Sequence, residues 1–333
     1  MRTTFALLAV AALALAAGAC NRQEPASAPA AGQAKADTSR QLYIEVSALG
    51  SIDYFYDHKM GMKLAGEALG VRTEYVGPAD YDMAAMVTVF EQAIAKRPAG
   101  IVVVGFEPSL NAIVDKAADA GIPVVTVDAD LPGSKRVAFV GTGNYRAGFE
   151  GGKKMAALLE GRGKVALMTK PGQSNLEERV RGYQDALKPH AGIQVVQVAD
   201  TQSDPMIAAQ AAAGLLQKFP DLAGIACVEA AGGSGAATAV KEAGKAGKVR
   251  IVAMDRGNDV LEFIRDGVIS ATVVQQTALM PFYAVQILYN LNNRPVPIAS
   301  DNARAGITGV PETVDTGVVI VDKSNCEYFL RKR

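Results

Sequence analysis

Ala99-Gly100-Ile101-Val102-Val103-Val104 and, one helical stretch later, Ala120-Gly121-Ile122-Pro123-Val124-Val125-Thr126-Val127-Asp128 decide the fold of this chain. Each apolar run is short, β-branched and nearly free of polar residues, which describes a strand buried on both faces. Residues 109–120, between them, carry apolar positions at helical spacing, and strand alternating with helix is the pattern of parallel βαβ units. A second copy lies downstream: Ala223-Gly224-Ile225 opens a strand, a helix follows, and the next strand delivers Met254-Asp255. Asp128 and Asp255 therefore each stand just past the carboxyl end of a parallel strand, where open α/β sheets bind their ligands. Two such halves facing one another would set the two carboxylates on opposite walls of one cleft.

Outward from this repeat, the same alternation predicts strands at 42–46, 72–76, 101–104, 124–127, 137–140, 164–168, 194–198, 224–228, 250–253, 269–273 and 317–321. Helices are expected near 57–69, 83–96, 109–120, 145–159, 175–188, 205–218, 235–243 and 280–291. A chain of 333 residues exceeds what one core usually supports, so two doubly wound lobes are the expectation.

Lys plus Arg and Asp plus Glu both number 34, which leaves no net electrostatic footprint for nucleic acid. The two histidines, His58 and His190, are isolated and lack partners at metal-ligand spacing, so neither a metal site nor a His-activated nucleophile is expected. Gly232-Gly233-Ser234-Gly235 lacks the Lys-Ser/Thr of a phosphate loop and the spacing of a dinucleotide fingerprint, so no cofactor is expected; this run either shapes a cleft wall or starts a helix.

Met1-Arg2-Thr3-Thr4 and the apolar run 5–17 read as an export signal over residues 1–19, too short to span a bilayer comfortably. The run ends in Ala17-Gly18-Ala19-Cys20, which resembles the bacterial lipobox and makes Cys20 the expected lipid attachment site. Residues 20–40 are rich in Ala, Pro, Gln, Ser and Gly and read as a tether. Cys227 and Cys326 are expected as separate thiols, although an exported chain would permit their pairing.

Several further segments keep a common order: Val46-Ser47 leading to Tyr54-Phe55; 120–128; Gly141-Thr142-Gly143-Asn144; Arg179-Val180-Arg181-Gly182-Tyr183; Met254-Asp255; and Asp266-Gly267 with Gln275. In this order and spacing the chain resembles the periplasmic sugar-binding proteins of the ribose and galactose type. The resemblance implies a type I periplasmic binding fold, two lobes joined by a three-crossing hinge: 41–142 plus 276–316, and 143–275 plus 317–333. It implies a monomeric lipoprotein that hands a sugar-like ligand to an ABC permease, or else one that presents it to a chemoreceptor or sensor kinase.

Carried over residue by residue, the resemblance makes Tyr54 and Phe55 the aromatic cover of the sugar's C–H faces, or else core packing at a helix start, with Tyr56 a rival in register. Asp128 and Asp255 become hydroxyl acceptors, or helix caps. Arg179 becomes the multi-donor fork with Arg181 as its exposed neighbour, and Gln275 the hinge amide with Gln276 beside it.

The chain departs from the ribose pattern in three places: Ala129-Asp130 stands where an arginine would follow the first aspartate, Glu229 replaces an asparagine, and Gly105-Phe106-Glu107 follows the third strand. Asp130, Glu229 and Phe106 are therefore expected at the site. Four carboxylates against one arginine would be costly to enclose unless hydroxyls or a cation satisfied them. A pyranose, a polyol or an autoinducer-like cyclic diol is favoured over ribose, with a cationic sugar as the lesser alternative. A repressor of similar core would begin with a DNA-binding helix-turn-helix, a position here occupied by the export signal.

Overall fold

The computed structural model describes residues 37–48, 50 and 53–331. The export signal 1–19, Cys20 and the tether up to residue 36 lie outside the described residues. At the end of the expected tether, Thr38–Arg40 form a 3-10 turn.

In chain order the strands and helices are β1 (Leu42–Val46), α1 (Tyr56–Leu69), β2 (Arg72–Val76), α2 (Met83–Ala95), β3 (Gly100–Val104), α3 (Asn111–Asp119), β4 (Val124–Val127) and β5 (Ala138–Gly141). Then come α4 (Asn144–Leu158), β6 (Arg162–Thr169), α5 (Ser174–Leu187), β7 (Gly192–Asp200), α6 (Pro205–Lys218), β8 (Leu222–Cys227), α7 (Ala230–Glu242) and β9 (Arg250–Met254). The remainder is α8 (Asn258–Arg265), β10 (Ala271–Gln275), α9 (Leu279–Asn293), β11 (Thr313–Asp315) and β12 (Val318–Asp322).

These strands form two six-stranded sheets of matching order, β11-β5-β4-β3-β1-β2 and β12-β10-β9-β8-β6-β7. Each is the core of one α/β lobe. The first sheet is parallel throughout, whereas β12 runs antiparallel to β10 in the second. The chain passes from one sheet to the other three times: after β5, after β10, and between β11 and β12.

The burial of the strands explains their composition. Ile101, Val102, Val103 and Val104 are all fully buried; Ile101 and Val103 pack toward α2 and α3, while Val102 and Val104 pack toward α1 and α9. A strand covered on both faces favours apolar residues at every position, and a polar one there needs a buried partner. Helix ends follow local chemistry: the Asp204 carboxylate accepts from the Met206 and Ile207 amides ahead of Pro205 at the start of α6, and α1 stops at Gly70 in the left-handed conformation, φ 67°.

Two differences from the sequence reading matter, while the two cysteines stay separate as expected. The strand expected at 269–273 is β10, displaced by two residues, so Gln275 is its last residue. The Gly-rich run 232–235 lies inside α7, which begins at Ala230, because these small residues let the helix rest against Cys227, Ala253 and Ala208. Cys227 and Cys326 are both buried and unpaired.

Candidate functional site

The first wall is built from the turn that follows β1 and from the end of β4. A 3-10 turn ending at Phe55 leads into α1, and the Tyr54 hydroxyl donates to Asp128 Oδ1 at 2.7 Å. Phe55 is 2% exposed, its ring edge-on to Tyr54 at 5.1 Å between centroids and to Phe106 at 6.1 Å. Tyr56 is 57% exposed, so the register that points Tyr54 and Phe55 inward is the one adopted. Phe106 continues the aromatic wall outward to Tyr81, 5.5 Å away, whose hydroxyl donates to Glu107 Oε1 at 2.7 Å.

Beneath the aromatic pair, His58 Nδ1 lies 2.6 Å from Glu45 Oε1, both side chains fully buried. Burial alone would lower the imidazole pKa, but the charge and hydrogen bond of Glu45, with Asp128 and Asp57 behind it, raise it above its ordinary value.

The second wall centres on Arg179, whose side chain is drawn inside while Arg181 stays exposed beside Glu178 and over the Tyr145 ring. Arg179 Nε donates to Asn144 Oδ1 at 2.8 Å, and its terminal nitrogens donate to the Val228 carbonyl and to Gln275 Oε1, each at 3.0 Å. Gln275 Nε2 in turn donates to Asp255 Oδ1 at 2.9 Å. Gln276 faces elsewhere, its amide donating to the Thr316 carbonyl at 2.6 Å across the third passage between sheets. Helix packing holds the arginine in place: a Cβ at Gly148 of α4 would collide with the Arg179 carbonyl, and one at Gly182 of α5 with the Tyr145 carbonyl.

The two walls share one electrostatic environment. Burial first, then the charges of Asp128 and Asp255 and the bond to Asp128, push the Tyr54 phenol well up, with Arg179 opposing. Burial pushes the Asp255 carboxyl up to about 6; Arg179 and Gln275 pull it down, and Asp128 and Glu229 add to the rise. Residues of both sheets thus meet, and the structure brings together Tyr54, Phe55, Phe106, Asp128, Arg179, Asp255 and Gln275.

Two of the expected ligand carboxylates have partners within the chain. Asp130 is committed within its own loop, where Oδ1 accepts from Thr126 Oγ1 and from the Leu131 amide, each at 2.7 Å, and Oδ2 accepts from Arg136 at 2.7 Å. Its charge is neutralised by Arg136. Glu229 reaches the neighbourhood of Asp255, but as the cap of α7: Oε2 accepts from the Ala231 amide at 2.8 Å and Oε1 from Thr201 Oγ1 at 2.9 Å.

The sequence reading also missed Asn144, although it sits in the quoted run 141–144, and the signal available was its place at the start of α4. Among the described residues no group of three or more His, Cys, Asp or Glu side chains is placed to hold a metal ion. Two depressions, ≈ 360 Å³ beside α1 and β2 and ≈ 450 Å³ beside β7 and α6, are lined by none of these residues.

Comparison with known proteins agrees with this fold. The periplasmic binding protein domain matches residues 46–294. The D-allose-binding periplasmic protein of Escherichia coli (strain K12) is 30% identical over 240 residues, covering 68% of this chain and 76% of the relative. The solved structure of AraP, an arabinose-binding protein from Geobacillus stearothermophilus, superposes with a TM-score of 0.82 at 37% identity, covering 88% of this chain and 100% of that one. A chain solved in a XylFII–LytSN complex is similar with a TM-score of 0.66 at 28% identity, covering 86% of this chain and 99% of that one. These relatives are binding proteins and not enzymes. By domain match, fold and sequence, the chain belongs to the periplasmic binding protein family, among the sugar-binding proteins of ABC transporters.

Proposed function

We propose that this chain is the substrate-binding lipoprotein of an ABC sugar importer, acylated at Cys20, and that it captures a neutral monosaccharide in its ring form, or a polyol of that size, by hinge closure. The observation that carries this reading is the convergence of Asp128 with Tyr54 from one sheet and Asp255 with Arg179 and Gln275 from the other. Charged acceptors on both walls, a five-donor fork and an aromatic cover match the alternating hydroxyls and C–H faces of a sugar.

Charge favours a neutral ligand. With Asp130 paired to Arg136 and Glu229 committed to a helix cap, the excess of acid reduces to Asp128 and Asp255 against Arg179. Hydroxyl donors satisfy two acceptors without a cation, which argues against an amino sugar. The names of the relatives, D-allose-binding and arabinose-binding, support an aldose.

Membership of the two sheets supports lobe boundaries at 41–142 plus 276–316 and 143–275 plus 317–333, with the three passages between sheets as the hinge. A ligand touching both walls favours the closed arrangement by its differential affinity for it. The closed monomer would then dock on an ABC permease. The similarity to a chain from the XylFII–LytSN complex favours a second reading, in which the closed form is presented to a signalling partner.

A thermal-shift screen of D-allose, L-arabinose, D-ribose, D-xylose, D-galactose and myo-inositol tests the ligand class. A true ligand at 100 times its Kd adds about 2.7 kcal/mol of stability. No shift with any of them overturns the sugar reading. Loss of growth on the sugar after deletion of the permease separates transport from presentation.

A further inference from the structure

Away from the sugar-facing side chains, one buried carboxylate gathers donors from three other parts of the chain. Asp57, in the first turn of α1, is 2% exposed. Arg256 grips it with a fork, Nε donating to Oδ2 at 3.1 Å and a terminal nitrogen to Oδ1 at 2.6 Å. Arg331 donates to Oδ2 at 2.9 Å, as does Thr277 Oγ1 at 2.9 Å. Arg256 also reaches the Phe329 carbonyl at 3.4 Å, tying in the segment that follows β12.

The two arginines come from beyond the lobe that holds Asp57. α1 covers the first sheet; Arg256 follows β9 of the second, Thr277 lies in the passage after β10, and Arg331 follows β12. The Asp57–Arg256 contact therefore spans the two lobes. Burial alone would raise the Asp57 pKa, but the hydrogen bonds and charges of Arg256 and Arg331 outweigh it and hold the carboxyl below its ordinary range. A bidentate guanidinium–carboxylate pair in a partly dry setting is among the stronger polar contacts, and it is sensitive to geometry. Rotating the lobes apart takes the fork off the carboxylate and hands both groups to water.

Position along the chain links this contact to the site. Asp57 lies three residues after Tyr54 on the same turn and helix start, and Arg256 is the residue after Asp255. The left-handed backbone of Asp255, φ 67°, sends its side chain to Gln275 while the next residue crosses to the other lobe. At the matching place in the first lobe stands Ala129, which cannot make such a contact.

We propose that Asp57 and Arg256 form a closure clasp, positioning residues outside the sugar contacts that join when the lobes close and so govern how long the closed cleft holds its sugar. The proposal rests on the reading of this chain as a hinged sugar-binding protein. Because the clasp forms late and touches no sugar, its loss raises the dissociation rate for every bound sugar by a similar factor and leaves association nearly unchanged.

Two measurements on the full chain test it. Spin labels at Lys63→Cys and Lys241→Cys, one exposed position per lobe, report the interlobe distance by pulsed electron paramagnetic resonance without any sugar present. Arg256→Ala and Asp57→Asn are expected to shift that distribution to longer distances. Stopped-flow kinetics with D-allose and with L-arabinose are expected to show dissociation at least tenfold faster, by a similar factor for each sugar that binds, with association within about twofold. Arg256→Lys keeps the charge and is expected to give a smaller shift in the same direction, which covers a failure of the alanine variant to fold. An unchanged distance distribution, or a loss carried by association, overturns the clasp. Failure of the wild type to bind either sugar counts against the ligand assignment, and the distance measurement still decides the clasp.

Discussion

Asp128 and Asp255 occupy equivalent places in the two sheets, and both adopt the left-handed backbone conformation, with φ of 64° and 67°. Each directly follows the third strand in its sheet order, β4 or β9. Each then donates its amide to the neighbouring strand, Asp128 to the Val140 carbonyl at 3.2 Å and Asp255 to the Val273 carbonyl at 2.8 Å. Left-handed backbone is costly for most side-chain-bearing residues and least so for Asn and Asp, and such strain clusters at functional sites. The turn ends the strand and aims a carboxylate out of the sheet at the same point of both lobes, so the duplicated sequence pattern is a duplicated turn that presents an acid.

Arg179 is expected to dominate affinity in this arrangement. Arg179→Ala is expected to weaken sugar binding by roughly 2–5 kcal/mol, because it deletes a buried multi-donor group and leaves Gln275 and Asp255 without their organising cation. Arg181→Ala, on the exposed face, should change it by no more than about 0.5 kcal/mol. Titration calorimetry with the sugar identified by thermal shift compares the two; equal losses would refute the assigned register.

Affinity and stability should respond to pH in opposite directions through Asp255. Its folded pKa, about 6, stands above an unfolded carboxyl, so the folded protein binds more protons between the two values and this group becomes less stabilising as pH rises through that window. At neutral pH the ionised form costs about 3 kcal/mol in the unliganded protein. Sugar hydroxyls require that ionised form, so binding is expected to weaken several-fold from about pH 7 to about pH 5. Calorimetry across that range checks the trend, and Asp255→Asn should flatten it.

Asp130 should prove structural. Asp130→Asn leaves Arg136 without its countercharge and is expected to cost about 1–3 kcal/mol in chemical denaturation. Sugar affinity should stay within about threefold of wild type, since its carboxylate is turned to Thr126, Leu131 and Arg136. A tenfold loss of affinity would return Asp130 to the site.

Close helix packing behind the arginine predicts a cost of another kind. Gly148→Val places side-chain atoms against the Arg179 carbonyl, so α4 and α5 must part; we expect about 2–4 kcal/mol of destabilisation by urea unfolding. Sugar affinity should fall as well, because Arg179 moves with α5.

The Cys20 anchor is testable by detergent phase partition of the exported protein. Wild type should enter the detergent phase and Cys20→Ser should not. Wild type found wholly in the aqueous phase would dismiss the lipid anchor.

The βαβ pattern was legible in the chain because the inner strands are largely apolar on both faces and each helix on one, a requirement that local sequence displays. The repeat ending in Asp128 and Asp255 was legible for the same reason, since it is a strand boundary. β11 was not: three residues at a sheet edge, two of them exposed, carry no periodicity. α8 is absent from the expected helices although Val260, Leu261 and Ile264 share its buried side, because eight residues give little more than two turns to detect.

Tertiary structure alone decided which charged residues meet. Asp130 and Asp128 are two residues apart and both stood among the expected site residues, yet Arg136 claims one while Tyr54 reaches the other. Asp57 starts an expected helix, and only the second lobe brings Arg256 to it. Burial pattern follows from local periodicity and is written residue by residue along the chain. The pairing of charges depends on distances between segments far apart in sequence, which exist only once both lobes have folded and met.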